Sequence, residues 1–124
     1  MELKGNSASL GIITAPVILI KSEEDIYKLS GSEIVVLPDA RPTFIHAIIK
    51  AKGIISDIGG ITCHLANIAR ELAIPCVMAT EKALDVLKDG VIVTLDGNTG
   101  CVSWHSDDNI MSIKNPKKIE ENKG

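Results

Sequence analysis

The sequence predicts an α/β domain with a mixed, partly parallel sheet and one central helix. Short apolar runs, Ile34-Val35-Val36-Leu37 and Gly53-Ile54-Ile55-Ser56, alternate with helix-forming segments, the pattern of parallel strand-helix-strand units. Asp96-Gly97-Asn98-Thr99 joins two further apolar runs as a hairpin, which brings in antiparallel strands. The turn Gly59-Gly60 leads into a stretch whose Leu65, Ile68, Ala69 and Leu72 fall at i, i+3, i+4 and i+7, the spacing of a buried helical stripe.

The elements follow in chain order. Ile12-Ile13 and Val17-Ile18-Leu19-Ile20 predict an early strand with a break around Pro16. Ser22-Glu23-Glu24-Asp25 resembles a capping box and opens a short helix through Leu29. Ile34 to Leu37 form a strand covered on both faces. Pro42 sits at a first helical position and opens a helix through Lys50. Gly53 to Ser56 form a second buried strand that runs directly into the glycine turn and the central helix. Pro75 ends that helix, and Cys76-Val77-Met78 form a third strand. Thr80 reads as the N-cap of a helix reaching Leu87. Val91 to Leu95 and Gly100 to Trp104 are the hairpin strands. Three segments result: an N-terminal extension over 1–7, one domain over 8–104, and a polar tail over 105–124.

Composition bounds the function. The chain has 124 residues, a single-domain length, and 45% of them are apolar, enough for a core. Only 2% are aromatic, so Ile, Val, Leu and Ala must build that core. A net charge of −3 leaves no basic footprint, and few rings are present to stack bases, so nucleic acid is not the expected partner. No apolar run approaches the ~20 residues that span a bilayer, and the first residues show no signal-peptide core. Cys63, Cys76 and Cys101 lack CxxC spacing and read as reduced thiols of a cytoplasmic protein, with no metal site among them.

The chemistry concentrates at His64. It opens the central helix, where free backbone N–H groups and the positive end of the helix dipole gather. Such a place binds anions, phosphate above all. Glycine at 59 and 60 permits both positive φ and close approach of backbone to an anion, and a side chain at Gly60 is expected to block that approach and to oppose the turn. A neutral imidazole beside such a cradle suits a histidine that accepts a phosphoryl group and passes it on. Cys63 is a poor nucleophile candidate, because neighbouring side chains at a helix start diverge. His46 and His105 are isolated, and Asp57 reads as a cap of the glycine turn, since its charge would repel phosphate.

These motifs resemble a known family. Gly59-Gly60-Ile61-Thr62-Cys63-His64 and Ala69-Arg70-Glu71-Leu72-Ala73-Ile74-Pro75-Cys76-Val77 are similar to the signature of the mobile phosphohistidine domain of phosphoenolpyruvate-utilizing enzymes. The similarity extends to Ser9-Leu10-Gly11, to Glu33-Ile34-Val35-Val36 with Pro42, and to a closing hairpin from Asp89-Gly90 through Asp96-Gly97-Asn98-Thr99-Gly100, covering roughly residues 8 to 104. Asn67, Ala79-Thr80 and Thr14-Ala15-Pro16 depart from the family pattern.

The resemblance implies a swivelling β/β/α domain with His64 as phosphoryl acceptor. Thr62 would hydrogen-bond the phosphoryl group or the imidazole, and Gly59 and Gly60 would hold phosphate. Arg70 would bind phosphate or make a surface or interdomain contact. The chain carries no G-x-x-x-x-G-K-[ST] loop and no acidic metal cluster, so it is expected to bind no cofactor of its own. Mg²⁺, ATP and phosphoenolpyruvate are expected on partner modules, an ATP-grasp unit and a phosphoenolpyruvate/pyruvate unit, on other chains or segments. The chain is then one component of a phosphotransferase. The alternatives are a non-catalytic binding or regulatory module of the same fold, or a carrier serving a different acceptor.

Overall fold

The computed structural model describes residues 1–105. The expected polar tail therefore lies outside the described residues, apart from His105. Eight strands form one sheet: β1 (Glu2–Lys4), β2 (Asn6–Ser9), β3 (Ile12–Leu19), β4 (Ile34–Leu37), β5 (Gly53–Ser56), β6 (Cys76–Met78), β7 (Ile92–Asp96) and β8 (Cys101–Trp104). Their spatial order is β1-β8-β7-β3-β4-β5-β6-β2. Strands β3, β4, β5 and β6 pair in parallel, and the remaining pairs are antiparallel. The mixed sheet and the α/β class are as the sequence predicts.

Strand β3 belongs to both halves of the sheet. Ile12 to Pro16 pair antiparallel with β7, and Val17 to Leu19 pair in parallel with β4. The expected break at Pro16 is absent. Proline lacks a donor, but it sits where the strand leaves one neighbour for the other, and the Val17 N–H is satisfied by the Val91 carbonyl at 2.9 Å. Pro16 thus marks a change of partner within a continuous strand.

The segment 1–7, expected as an extension, is part of the sheet. It supplies β1 on one edge and the first half of β2 on the other, with Gly5 alone between them. Gly5 donates to the Gly100 carbonyl at 2.8 Å, and a Cβ there would lie 2.4 Å from the Met78 carbonyl oxygen. The two edges thus meet at a place only glycine fits. Leu3 is the one large apolar residue of β1, so no alternation announces the strand.

Three layers follow from the side-chain alternation. Ile34, Val36, Ile55 and Val77 point between the two halves of the sheet, against Val17, Val93, Leu95 and Val102. Val35, Leu37, Ile54, Cys76 and Met78 point the other way, under Phe44, Ile48, Leu65, Ala66 and Ala69. Both faces of β4 are buried, which is why it reads as an unbroken apolar run.

The helices are shorter than expected. Glu23–Lys28 is a 3₁₀ turn, with the Asp25 carboxylate accepting the Lys21 and Ser22 N–H groups. Those bonds hold the Asp25 carboxyl below its ordinary range, the Lys21 amide first among the causes. The Pro42 helix divides into a 3₁₀ turn, Pro42–Phe44, and α1 (Ile45–Ile48). The central helix, α2 (His64–Glu71), buries Leu65, Ala66 and Ala69, while Leu72 is exposed. It ends before Pro75, because Ala73 turns left-handed at φ 58°. The Ala73 N–H then bonds the Arg70 carbonyl at 3.2 Å and the Ile74 N–H bonds that of Ala69 at 2.9 Å, a Schellman motif. An alanine at that position is strained, so Ala73→Gly is expected to stabilise the fold by about 0.5–1 kcal/mol. Thermal unfolding checks this; a lowered midpoint would contradict it. Helix α3 (Ala83–Val86) is capped at Lys82 rather than Thr80. No helix among the described residues is long and apolar enough to cross a membrane.

Candidate phosphoryl-accepting site

In open α/β sheets, ligands meet the carboxyl ends of parallel strands. At that edge β5 ends at Ser56, and the loop from Asp57 to Cys63 carries the chain to α2. The Ser56 hydroxyl donates to the Ile58 carbonyl at 2.7 Å and closes the first bend. Gly59 follows with φ +147°, and a Cβ there would lie 3.0 Å from Met78 Sδ and 3.3 Å from Ala40 Cβ. Gly60 stands in open space, with nothing within 4 Å of a Cβ position and no positive φ. The demand for glycine in the turn therefore falls on Gly59 alone, where the sequence reading shared it between Gly59 and Gly60.

The Cys63 N–H bonds the Gly60 carbonyl at 3.1 Å, and Cys63 then takes the N-cap position of α2 in an extended conformation. No side chain caps this helix, so its first N–H groups keep their capacity to bind an anion. His64 is the first helical residue and is exposed, and Thr62 is exposed just before the cap. Neither side chain makes a hydrogen bond within the protein among the described residues. Both stand at the mouth of the helix, where the sequence reading puts them.

Arg70 reaches the same loop in a different role. Its Nη1 donates to the Ile61 carbonyl at 2.9 Å and to the Ala8 carbonyl at 2.7 Å, and Nη2 donates to Asn67 Oδ1. The guanidinium thus ties the glycine loop to β2 and to its own helix. In these contacts it is a brace behind the loop. Asn67, unusual in the helix pattern, finds its partner here. Strand β2 shifts register between Ser7 and Ser9, which frees the Ala8 carbonyl from the ladder.

The sequence reading missed a second cation. Asp39 and Arg41, in the loop after β4, form a two-point pair at 2.8 Å each, from Arg41 Nε and Nη2. The Arg41 hydrogen bonds hold the Asp39 carboxyl below its ordinary range. The guanidinium lies 4.9 Å over the Phe44 ring. Ala40, between the pair, packs where a Gly59 side chain would go, so Arg41 belongs to the same edge of the sheet. Its signal in the sequence is the D-x-R spacing beside Pro42.

The other candidates lie apart from this site. His46 is on α1 and His105 follows β8, both exposed. Cys76 is buried, and burial pushes its thiol up to about 12, so it stays protonated and inert at neutral pH. Asp57 is buried and turned toward α3 rather than capping the glycine turn.

Comparison with known proteins agrees with this geometry. The family described as "PEP-utilising enzyme, mobile domain" matches residues 29–100. A probable phosphoenolpyruvate synthase of Archaeoglobus fulgidus is 44% identical over 100 residues, which are 81% of this chain and 13% of that protein. The phosphoenolpyruvate synthase of Pyrococcus furiosus is 41% identical over 100 residues, 81% of this chain and 12% of that one. The chain thus spans about an eighth of the length of these curated relatives. Among solved structures, Enzyme I in solution superposes with a TM-score of 0.57 at 27% identity, covering 77% of this chain and 40% of that one. On this sequence similarity and this fold, the chain belongs to the mobile-domain family of PEP-utilising enzymes.

Proposed function

We propose that this chain is a phosphohistidine carrier that relays a phosphoryl group between a nucleotide-binding module and a phosphoenolpyruvate/pyruvate-binding module. The observation that carries the reading is His64 itself. It is exposed, makes no side-chain hydrogen bond among the described residues, and is set at the start of α2, which no side chain caps, behind a braced glycine loop.

In the forward step a neutral imidazole nitrogen of His64 attacks phosphorus as the bond to the donor oxygen breaks. The donor leaves as a nucleotide shorter by one phosphate or as the enolate of pyruvate. The α2 N–H groups and the Gly60 backbone then face the phosphoryl oxygens, with the Thr62 hydroxyl as a further donor. The helix dipole adds about 0.3–1 kcal/mol, so most of the stabilisation rests on hydrogen bonds and on the partner's Mg²⁺. Its three cysteines, all free, fit work in a reducing cytoplasm.

The test supplies this chain in trans to a phosphoenolpyruvate synthase whose own accepting histidine has been replaced. With labelled phosphoenolpyruvate, acid-labile and alkali-stable label is expected on this chain, and unlabelled pyruvate is expected to discharge it back to phosphoenolpyruvate. A chain that stays unlabelled while the other module remains active would favour a binding role or another acceptor. Calorimetry of the chain alone with Mg·ATP is expected to show no binding tighter than millimolar. Micromolar binding would overturn the carrier-only reading.

A further inference from the structure

The Asp57 carboxylate is buried, yet among the described residues no cation pairs with it, and the chemistry above does not use it. Three donors converge on it instead: Thr80 Oγ1 at 2.6 Å and the Ala83 N–H at 2.7 Å on Oδ1, and the Leu84 N–H at 3.1 Å on Oδ2. Two of these belong to the first turn of α3, whose N-cap residue Lys82 makes no side-chain cap bond. Thr80 lies between Ala79 at φ 63° and Glu81 at φ 71°, both left-handed without being glycine. That backbone turns the Thr80 and Glu81 N–H groups onto the Ser56 and Asp57 carbonyls at 3.3 and 3.2 Å. Strained residues persist only where their surroundings hold them, and they gather where position matters. Here the strained segment grips the first residues of the loop that presents His64.

The loop is thus anchored at both ends. Asp57 and Ser56 lock its start to the β6–α3 connection, and Arg70 ties Ile61 near its end. We infer that Asp57 is a positioning residue for phosphoryl transfer, acting through Thr80 to hold the 57–63 loop so that His64 meets its donor in line. The inference rests on His64 as the acceptor. Displacement of a reacting group by about 1 Å can cost roughly 100-fold in rate, so a small slackening is measurable.

The experiment uses potassium phosphoramidate, a small donor that needs no partner module, and follows His64, His46 and His105 in one chain by phosphorus NMR and peptide mapping. His46 and His105 report ordinary exposed imidazoles, so the ratio of His64 to these two separates positioning from folding. Wild type is expected to favour His64. Asp57→Asn and the milder Thr80→Val are expected to lower the ratio about tenfold, with shifted amide signals over residues 58–63. Thr80→Ser, which keeps the hydroxyl, is expected to restore it. An unchanged ratio in folded Thr80→Val would overturn the inference and leave Asp57 as a cap of α3 alone. A wild-type ratio near one would overturn the acceptor reading instead.

Discussion

Replacement of His64 by alanine is expected to abolish phosphoryl transfer while leaving the fold intact. The loss should be at least ~1,000-fold, since no other group in the site can take the covalent role. The Cys63 side chain is partly buried against the core, the Cys76 thiol is buried and protonated, and His46 and His105 stand on other elements. Stability should change by no more than about 0.5 kcal/mol, because the imidazole is exposed and its side chain makes no hydrogen bond among the described residues. Alanine at a first helical position also costs the helix nothing. Transfer rates and thermal unfolding on the same preparations check both halves. Retention of more than a few per cent of transfer would mean that the acceptor lies elsewhere.

The two glycines should separate folding from function. Gly59→Ala puts a side chain at φ +147° and within 3.0 Å of Met78 Sδ, and is expected to cost about 2–4 kcal/mol. For a domain of this size that is a fall of roughly 10–25 °C in melting temperature. Gly60→Val enters open space with no φ penalty of that kind, so its cost in stability should stay near 1 kcal/mol or below. On the proposed role its branched side chain would stand where the phosphoryl oxygens approach, and transfer should fall about tenfold or more. Normal transfer by folded Gly60→Val would show that the anion sits away from the turn.

The parts of the fold that the sequence declares are those set by local pattern. Strands β4, β5 and β6 are continuous apolar runs because both faces are covered, and the β7–β8 hairpin announces itself through Asp96-Gly97-Asn98-Thr99. The site is legible for the same reason: turn, cap and histidine are neighbours in the chain. What escapes is whatever depends on distant partners. Strand β1 exists because β8 offers an edge, and Pro16 is tolerated because the strand changes neighbours there. Thr80 looks like a cap by type, but its hydroxyl serves a carboxylate 23 residues upstream. Arg70 reads as a free cation on a helix until Ala8, 62 residues away, claims its Nη1. Leu72 fits the helical stripe yet lies where the chain has already begun to leave the helix, so it stays exposed.

The most direct measurement is the position of the phosphate on the intact chain, after incubation with a cognate kinase partner and phosphoryl donor. Peptide mapping under alkaline conditions, with phosphorus NMR, should show one phosphoramidate on His64, lost in acid and stable in alkali. Phosphate on Cys63, or phosphate that survives His64→Ala, would contradict the assignment.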